Sequence, residues 1–150
     1  MNISLADAKK IIEAAVKRAI ALNKPITVAI VDAAGYLVAL ERMDGARPIQ
    51  PAIANAKAYT GAIMQRPGIM LKGWQDSQPQ FFAQLSNMGL HPIVATEGAL
   101  PIRRQGELVG GLGVAGGTGP EDQQLCEGVL GELGYELNFE QFNSIRKKVD

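Results

Sequence analysis

Ile26-Thr-Val-Ala-Ile-Val31, Asp32-Ala-Ala-Gly35, Tyr36-Leu-Val-Ala-Leu40 sets two short apolar, β-branched segments on either side of a tight turn. Such runs favour extended backbone, and Gly35 is free to take a positive φ, so the stretch is expected to fold as an antiparallel hairpin. Neither segment alternates cleanly between apolar and polar. Both are therefore expected to be covered on both faces, by helices or by another subunit. A second hairpin is expected further on. Ala99-Leu-Pro-Ile-Arg103 and the glycine-loaded run Glu107 to Val114 flank Gln105-Gly106, and Pro101 suggests an edge strand or a bulge.

Helices surround these hairpins. Ser4 to Leu22 places Ile11, Ile12, Ala15, Val16, Ala19 and Ile20 on one stripe, with Ser4 as its cap and Asn23-Lys24-Pro25 as its stop. Ile49, Ala52, Ile53, Ala56, Thr60, Ile63 and Met64 give a second, alanine-rich helix that Arg66-Pro67-Gly68 ends. The signal weakens from Ile69 to Leu90, where Asp76 or Ser77 is a candidate cap for a short helix through Phe81, Phe82 and Leu85. Thr118 and Glu121 have capping-box spacing before a helix from Pro120 to Leu133, and Gly134 suits its C-terminal turn. A last helix is expected over about Phe139 to Val149. Hairpins without strand–helix–strand crossovers predict an α+β fold, an antiparallel sheet of about four to five strands flanked by helices. The 150 residues suit one domain, 1–150, with a C-terminal helical extension from about residue 135.

Fifteen basic residues balance fifteen acidic ones. A nucleic-acid module held by a broad basic field is not expected, and the absence of net repulsion favours self-association. The single cysteine, Cys126, excludes an internal disulfide and a Cys-rich zinc site, and the single histidine, His91, excludes a paired-histidine metal motif. No apolar run is long enough to span a membrane, and Met1-Asn-Ile-Ser4 lacks the features of a signal peptide, so a cytoplasmic protein is expected.

Gly111-Leu-Gly-Val-Ala-Gly116 spells G-x-G-x-x-G, but its glycines fall inside a strand instead of in the turn that a dinucleotide site needs. Close approach of another backbone or a ligand is the better account. Gly116-Gly117-Thr118-Gly119 leads into a helix N-terminus and is a candidate anion site, with an ordinary strand-to-helix turn as the alternative. Arg42, Asp44 and Arg47 cluster in one loop, where arginine can grip a carboxylate or simply face water. Lys57 stands at the border of an apolar helix stripe, either partly buried or snorkelling. Glu97, between Thr96 and Gly98, is a candidate general acid/base or a solvated loop residue. Asp32 is expected to cap its own turn, and Cys126 to be an inert core thiol. His91 is a weak candidate haem ligand.

Several ordered motifs carry a resemblance. Val28-Ala-Ile-Val-Asp32-Ala-Ala-Gly35, Glu41-Arg-Met-Asp-Gly45, Ala56-Lys57-Ala-Tyr-Thr60, Leu100-Pro-Ile102 and Val109-Gly-Gly-Leu-Gly-Val-Ala-Gly-Gly117 resemble the GlcG/HbpS family, which includes haem-binding proteins and the C-terminal domain of PduO-type corrinoid adenosyltransferases. The resemblance runs from about residue 5 to 133. It implies a profilin-like layered fold around an antiparallel sheet and an even-numbered homo-oligomer, often an octamer. Relatives often carry glycine where this chain has Ala95-Thr-Glu97-Gly-Ala99. Glu97 fills that space and adds a charge, which argues against a shared haem site and for a specialised small-molecule site.

The leading expectation is an oligomer with a pocket for a small anionic metabolite. Lys57 and Glu97 would meet in one cavity as proton handlers in an isomerisation, hydrolysis or carbon–carbon cleavage. Arg42, Asp44, Gly116, Gly117 and Thr118 would bind the ligand, and no metal is expected. The alternatives are a haem- or corrinoid-binding protein without catalysis, and an accessory or assembly protein.

Overall fold

The computed structural model describes residues 1–139. Along them run α1 (Leu5–Ala21), β1 (Thr27–Asp32), β2 (Leu37–Arg42), α2 (Gln50–Met64), a 3-10 turn (Gly68–Leu71), α3 (Lys72–Ser77), α4 (Pro79–Leu85), β3 (Ala99–Arg104), β4 (Glu107–Ala115) and α5 (Gly119–Glu132). The strands form one antiparallel sheet in the order β2-β1-β4-β3. The expected α+β class, both hairpins and the principal helices are present. The expected helix over Phe139 to Val149 lies outside the described residues, apart from Phe139 itself, which is buried against the core.

Period-two alternation divides the sheet into two chemically different faces. Val28, Ile30, Leu100, Ile102, Leu112 and Val114 point one way, onto Ile11, Ile12, Ala15 and Ala19 of α1 and Leu125, Cys126, Val129 and Leu130 of α5. Ala29, Val31 and Ala115 point the other way, onto Ala54, Ala58 and Ala62 of α2. The first interface is built of large side chains and the second of almost none. The strand glycines explain the second: a methyl group on Gly113 would collide with the Ala54 carbonyl and one on Gly111 with the Ala58 carbonyl. In return, a methyl group on Gly61 of α2 would lie 2.5 Å from the Leu100 carbonyl. Helix and sheet thus touch backbone to backbone, and G-x-G-x-x-G is a packing surface in this chain.

The caps follow local chemistry. The Ser4 hydroxyl accepts the Asp7 N–H at 3.0 Å. Asn23, at φ 53°, and Gly134, at φ 83°, close α1 and α5 in left-handed turns. In each, paired N–H groups reach back to the last carbonyls: Lys24 to Ala19 and Asn23 to Ile20, Tyr135 to Leu130 and Gly134 to Gly131. Asp32 accepts the N–H groups of Ala34 and Tyr36, so its role is to fix the first turn.

Three expectations change. β1 is buried throughout its apolar run, but β2 is an edge strand with Leu37, and Tyr36 just before it, exposed, because no helix or strand among the described residues lies beyond it. Between Gly68 and Leu85 stand a 3-10 turn and two short helices where one short helix was expected. Asp76 and Ser77 end α3, and Gln78 stands at the start of α4, so neither is the cap of that helix. These short pieces pack Leu71 and Phe82 with Tyr59 and Ile93 in a satellite cluster. β3 is the other edge strand, and its outer side receives the Glu136 N–H on the Arg103 carbonyl at 3.0 Å.

Candidate functional site

The two hairpins and α2 converge where β4 ends and α5 begins. β3 and β4 pair in register from Ala99↔Gly113. One step beyond, Val114 donates its N–H to the Gly98 carbonyl at 3.0 Å, but the returning bond is not made. Gly98 instead donates to the Gln123 side chain at 2.9 Å. The Val114 carbonyl, left open, accepts from Lys57 Nζ at 2.8 Å. Lys57 therefore reaches from α2 past the sheet and takes the place of a missing ladder bond.

Small residues make this passage. A methyl group on Gly113 would lie 2.9 Å from Lys57 Cβ, and one on Gly98 only 3.2 Å from Lys57 Nζ and 2.8 Å from Asp122 Cβ. Gly98 also has φ 80°, which favours glycine for conformational reasons. Lys57 is 6% exposed and Asp122 3%. The Lys57 ammonium meets Asp122 Oδ2 at 3.2 Å, a buried ion pair that ties α2 to the first turn of α5. Asp122 Oδ1 accepts the Gly117 N–H at 2.9 Å. Burial pushes the Asp122 carboxyl above its ordinary value, opposed by the Lys57 charge and the Gly117 hydrogen bond.

Glu97 reaches the same turn without joining the pair. Its carboxylate packs on Gly119, where a methyl group would overlap it. It is half-buried and makes no hydrogen bond or ion pair among the described residues. Lys57 and Glu97 thus approach one helix end but do not contact each other as expected; Asp122 is the partner of Lys57. Sequence analysis missed Asp122 because acidic residues are ordinary in a first helical turn.

The Gly116–Thr118 loop also differs from expectation. Two of its N–H groups are already used: Gly117 donates to Asp122, and Thr118 donates to Glu121 Oε1 at 2.9 Å, which completes a capping box with the Thr118 hydroxyl. With Glu97 on Gly119, this end of α5 is supplied with negative charge by the protein itself, so Gly117 and Thr118 offer no free anion seat. Gly116, at φ 134°, sits against Pro25 and Ile26 and lets the chain turn there.

Arg42 and Asp44 are exposed and line a separate groove of about 470 Å³ with Val16, Glu41 and Met43. They are not brought to Lys57. Arg47 is exposed as well. His91 packs edge-on against Tyr59, with ring centroids 5.2 Å apart. Tyr59 in turn accepts the Leu90 N–H at 3.0 Å, so the imidazole belongs to the satellite cluster. Cys126 is fully buried, burial pushes its thiol up, and its Sγ donates to the Gly98 carbonyl at 3.7 Å. Among the described residues no group of His, Cys, Asp and Glu is arranged to hold a metal ion. None of their helices is long and apolar enough to cross a membrane.

A family model described as haem degrading protein HbpS-like matches residues 3–130. This chain belongs to the HbpS-like family. It is 33% identical over 130 residues to an uncharacterized 15.0 kDa protein of the dhaT-dhaS intergenic region of Citrobacter freundii, covering 86% of this chain and 90% of that one. It is 31% identical over 108 residues to protein GlcG of Escherichia coli K12, covering 72% and 77%. The structure of a PduOC:heme complex superposes with a TM-score of 0.81 at 27% identity, over 91% of this chain and 98% of that one. The resemblance seen in the motifs and the layered HbpS-like fold are thereby established.

Proposed function

We propose that this HbpS-like protein binds a small organic anion beside α5, with Lys57 as the recognising cation and Glu97 as the proton acceptor of any turnover. One observation carries the proposal. The Lys57 ammonium has three protons, of which two are directed at Val114 and Asp122, and the third has no acceptor among the described residues. A buried ion pair is seldom a gain in stability over apolar side chains of the same volume, so a site that retains one invites a role for the charge. Glu97, without a hydrogen-bond or ion-pair partner among the described residues, is an acceptor for a hydroxyl or another donor on the same ligand. Arg42 and Asp44, in their separate groove, form no part of this site.

The test is calorimetric titration of the purified chain with acetate, lactate, pyruvate and oxalate. At least one should bind saturably. Lys57→Met and Glu97→Gln should each weaken binding or turnover by about 10²-fold where the residue transfers a proton, with the circular dichroism spectrum retained. Unchanged affinity in both variants overturns the proposal.

The oligomer remains part of this proposal. Ile49, Ile53 and Ile63 lie exposed on the outer side of α2, an apolar face that a second copy would cover in an even-numbered assembly such as an octamer. Light scattering at micromolar concentration should give a multiple of the protomer mass, and a clean monomer would refute it. A cytoplasmic setting is proposed with it, which fractionation of expressing cells tests.

The second reading is haem binding, favoured by the similarity to the PduOC:heme complex. His91 is the one imidazole of the chain and is engaged with Tyr59. Titration with haemin should therefore give at most a weak Soret band. Stoichiometric haem that His91→Ala removes would establish the second reading over the first.

A further inference from the structure

We propose that Asp122 is the proton-accepting partner of Lys57: when the Lys57 ammonium turns to an incoming anion, the Asp122 carboxylate takes up one proton from solvent. This rests on the anion-binding role proposed for Lys57 and adds a residue and a linkage to it.

The charge balance of the site requires some such step. Lys57 contributes one positive charge, and Asp122 and Glu97 contribute two negative ones. An entering anion raises the excess further, in a region where Asp122 has 5% of its side chain exposed. Low exposure makes an uncompensated carboxylate costly.

The groups facing Asp122 are few. From α2 comes Lys57 alone, at 3.2 Å. From β4 comes the Val114 carbonyl, which carries no charge but shares Lys57. From the turn before β3 come Gly98, in contact, and Glu97 beyond it on Gly119. From its own helix comes Glu121, whose charge is met by Lys24 at 3.6 Å. Cys126 lies one turn on and is kept a neutral thiol by burial. No second cation lies within ion-pairing distance of Asp122 among the described residues. Once Lys57 is diverted, the Gly117 N–H at 2.9 Å and the N-terminus of α5 are what still favour the carboxylate.

The step balances simply. The anion enters on the undirected Lys57 proton and draws the ammonium off Asp122, so that the Nζ–H···Oδ2 hydrogen bond breaks, a proton moves from water or buffer to Oδ2, and no covalent bond of the ligand changes. The Oδ1 hydrogen bond to Gly117 survives protonation, so the loop that opens α5 stays in place. Burial already raises the Asp122 carboxyl even with Lys57 beside it, which is the direction the step needs.

The test separates this linkage from the anion-binding role. Carbon-13 NMR of aspartate-labelled full-length chain, with the Asp122 signal assigned by its loss in Asp122→Asn, follows the carboxyl through a pH titration. Removing the cation in Lys57→Met, or in Lys57→Gln, which keeps a donor for Val114, imitates its diversion. The proton affinity of Asp122 is expected to rise about 100-fold or more in both variants, within the range seen for buried carboxyls. An unchanged titration in both overturns the proposal, whether or not any anion binds. With oxalate as probe, calorimetry in two buffers of different ionisation enthalpy should show uptake of about one proton per oxalate bound by the wild type and none by Asp122→Asn. Binding with no proton uptake also overturns it. Should oxalate fail to bind, whichever of acetate, lactate and pyruvate binds takes its place as probe; failure of all four counts against the anion site instead, and the carboxyl titration then decides the role of Asp122.

Discussion

Replacing Gly113 with alanine tests the central packing feature, because it adds one methyl group where α2 and β4 meet backbone to backbone. That methyl would collide with the Ala54 carbonyl and lie 2.5 Å from the Ala58 amide nitrogen and 2.9 Å from Lys57 Cβ. Ordinary overpacking costs about 1–3 kcal/mol because side chains rotate out of the way. Here two of the three obstacles are helix backbone atoms, which move only if α2 moves. The cost is therefore expected at about 3 kcal/mol or above, or roughly 6–12 °C in Tm for a chain of this size. Gly73→Ala is the control: it lies in α3 with nothing within 4 Å of the added methyl. It should be neutral or stabilising by up to about 1 kcal/mol, as expected for glycine replaced in a compatible helical position. The assay is urea unfolding of both variants at matched protomer concentration, since association contributes to apparent stability. A loss below about 1 kcal/mol for Gly113→Ala would mean that α2 can slide, and would refute a rigid backbone contact.

Two further outcomes follow from the start and middle of α5. Glu121 is held below its ordinary carboxyl value of 4.5, chiefly by hydrogen bonds to Thr118, with Lys24 adding to them. Its folded value being lower than its unfolded one, it contributes stability above 4.5 that is lost as pH falls through the folded value. Glu121→Gln should thus flatten the acid side of a urea-stability profile, and an unchanged acid limb would refute the assignment. The Cys126 thiol, buried and pushed up, should stay inert to Ellman's reagent in the native protein and react fully in denaturant. Fast reaction under native conditions would show that α5 opens locally.

Much of the fold was legible because it rests on short-range chemistry. The hairpin turns at Asp32-Ala-Ala-Gly35 and Gln105-Gly106, the α5 capping box and the glycine turn at Gly134 each depend on residues close together in sequence. The exposed side of β2 was not legible, since its apolar residues pattern like those of β1 and only the strand order shows that it lies at an edge. The pieces between Gly68 and Leu85 were misjudged for a related reason. Each is shorter than two turns or barely so, too short for a helical period to register. Trp74, which helps hold them, meets the rings of Phe81 and Phe82 at 5.9 and 5.8 Å, contacts that sequence spacing does not reveal.

The site was half legible, and the missing half changes its chemistry. Lys57 drew attention as a cation on the border of an apolar stripe, and Glu97 as a charge where small residues surround it. With those two alone the site is a simple pair of opposite charges, which a ligand would have to break. Asp122 follows Lys57 by 65 positions, and no periodicity links them. The usable signal was indirect: Gly98 and Gly113 clear the path from α2 to α5, and a lysine directed along such a path needs a carboxylate at its end. Supplying Asp122 gives Lys57 its counter-ion and leaves Glu97 without one among the described residues. Among the described residues Glu97 is a half-buried carboxylate without a cation beside it, and Lys57 a buried ammonium with one proton undirected. The proposed ligand would present an acceptor to Lys57 and a donor to Glu97, and a proton on Asp122 would balance its charge.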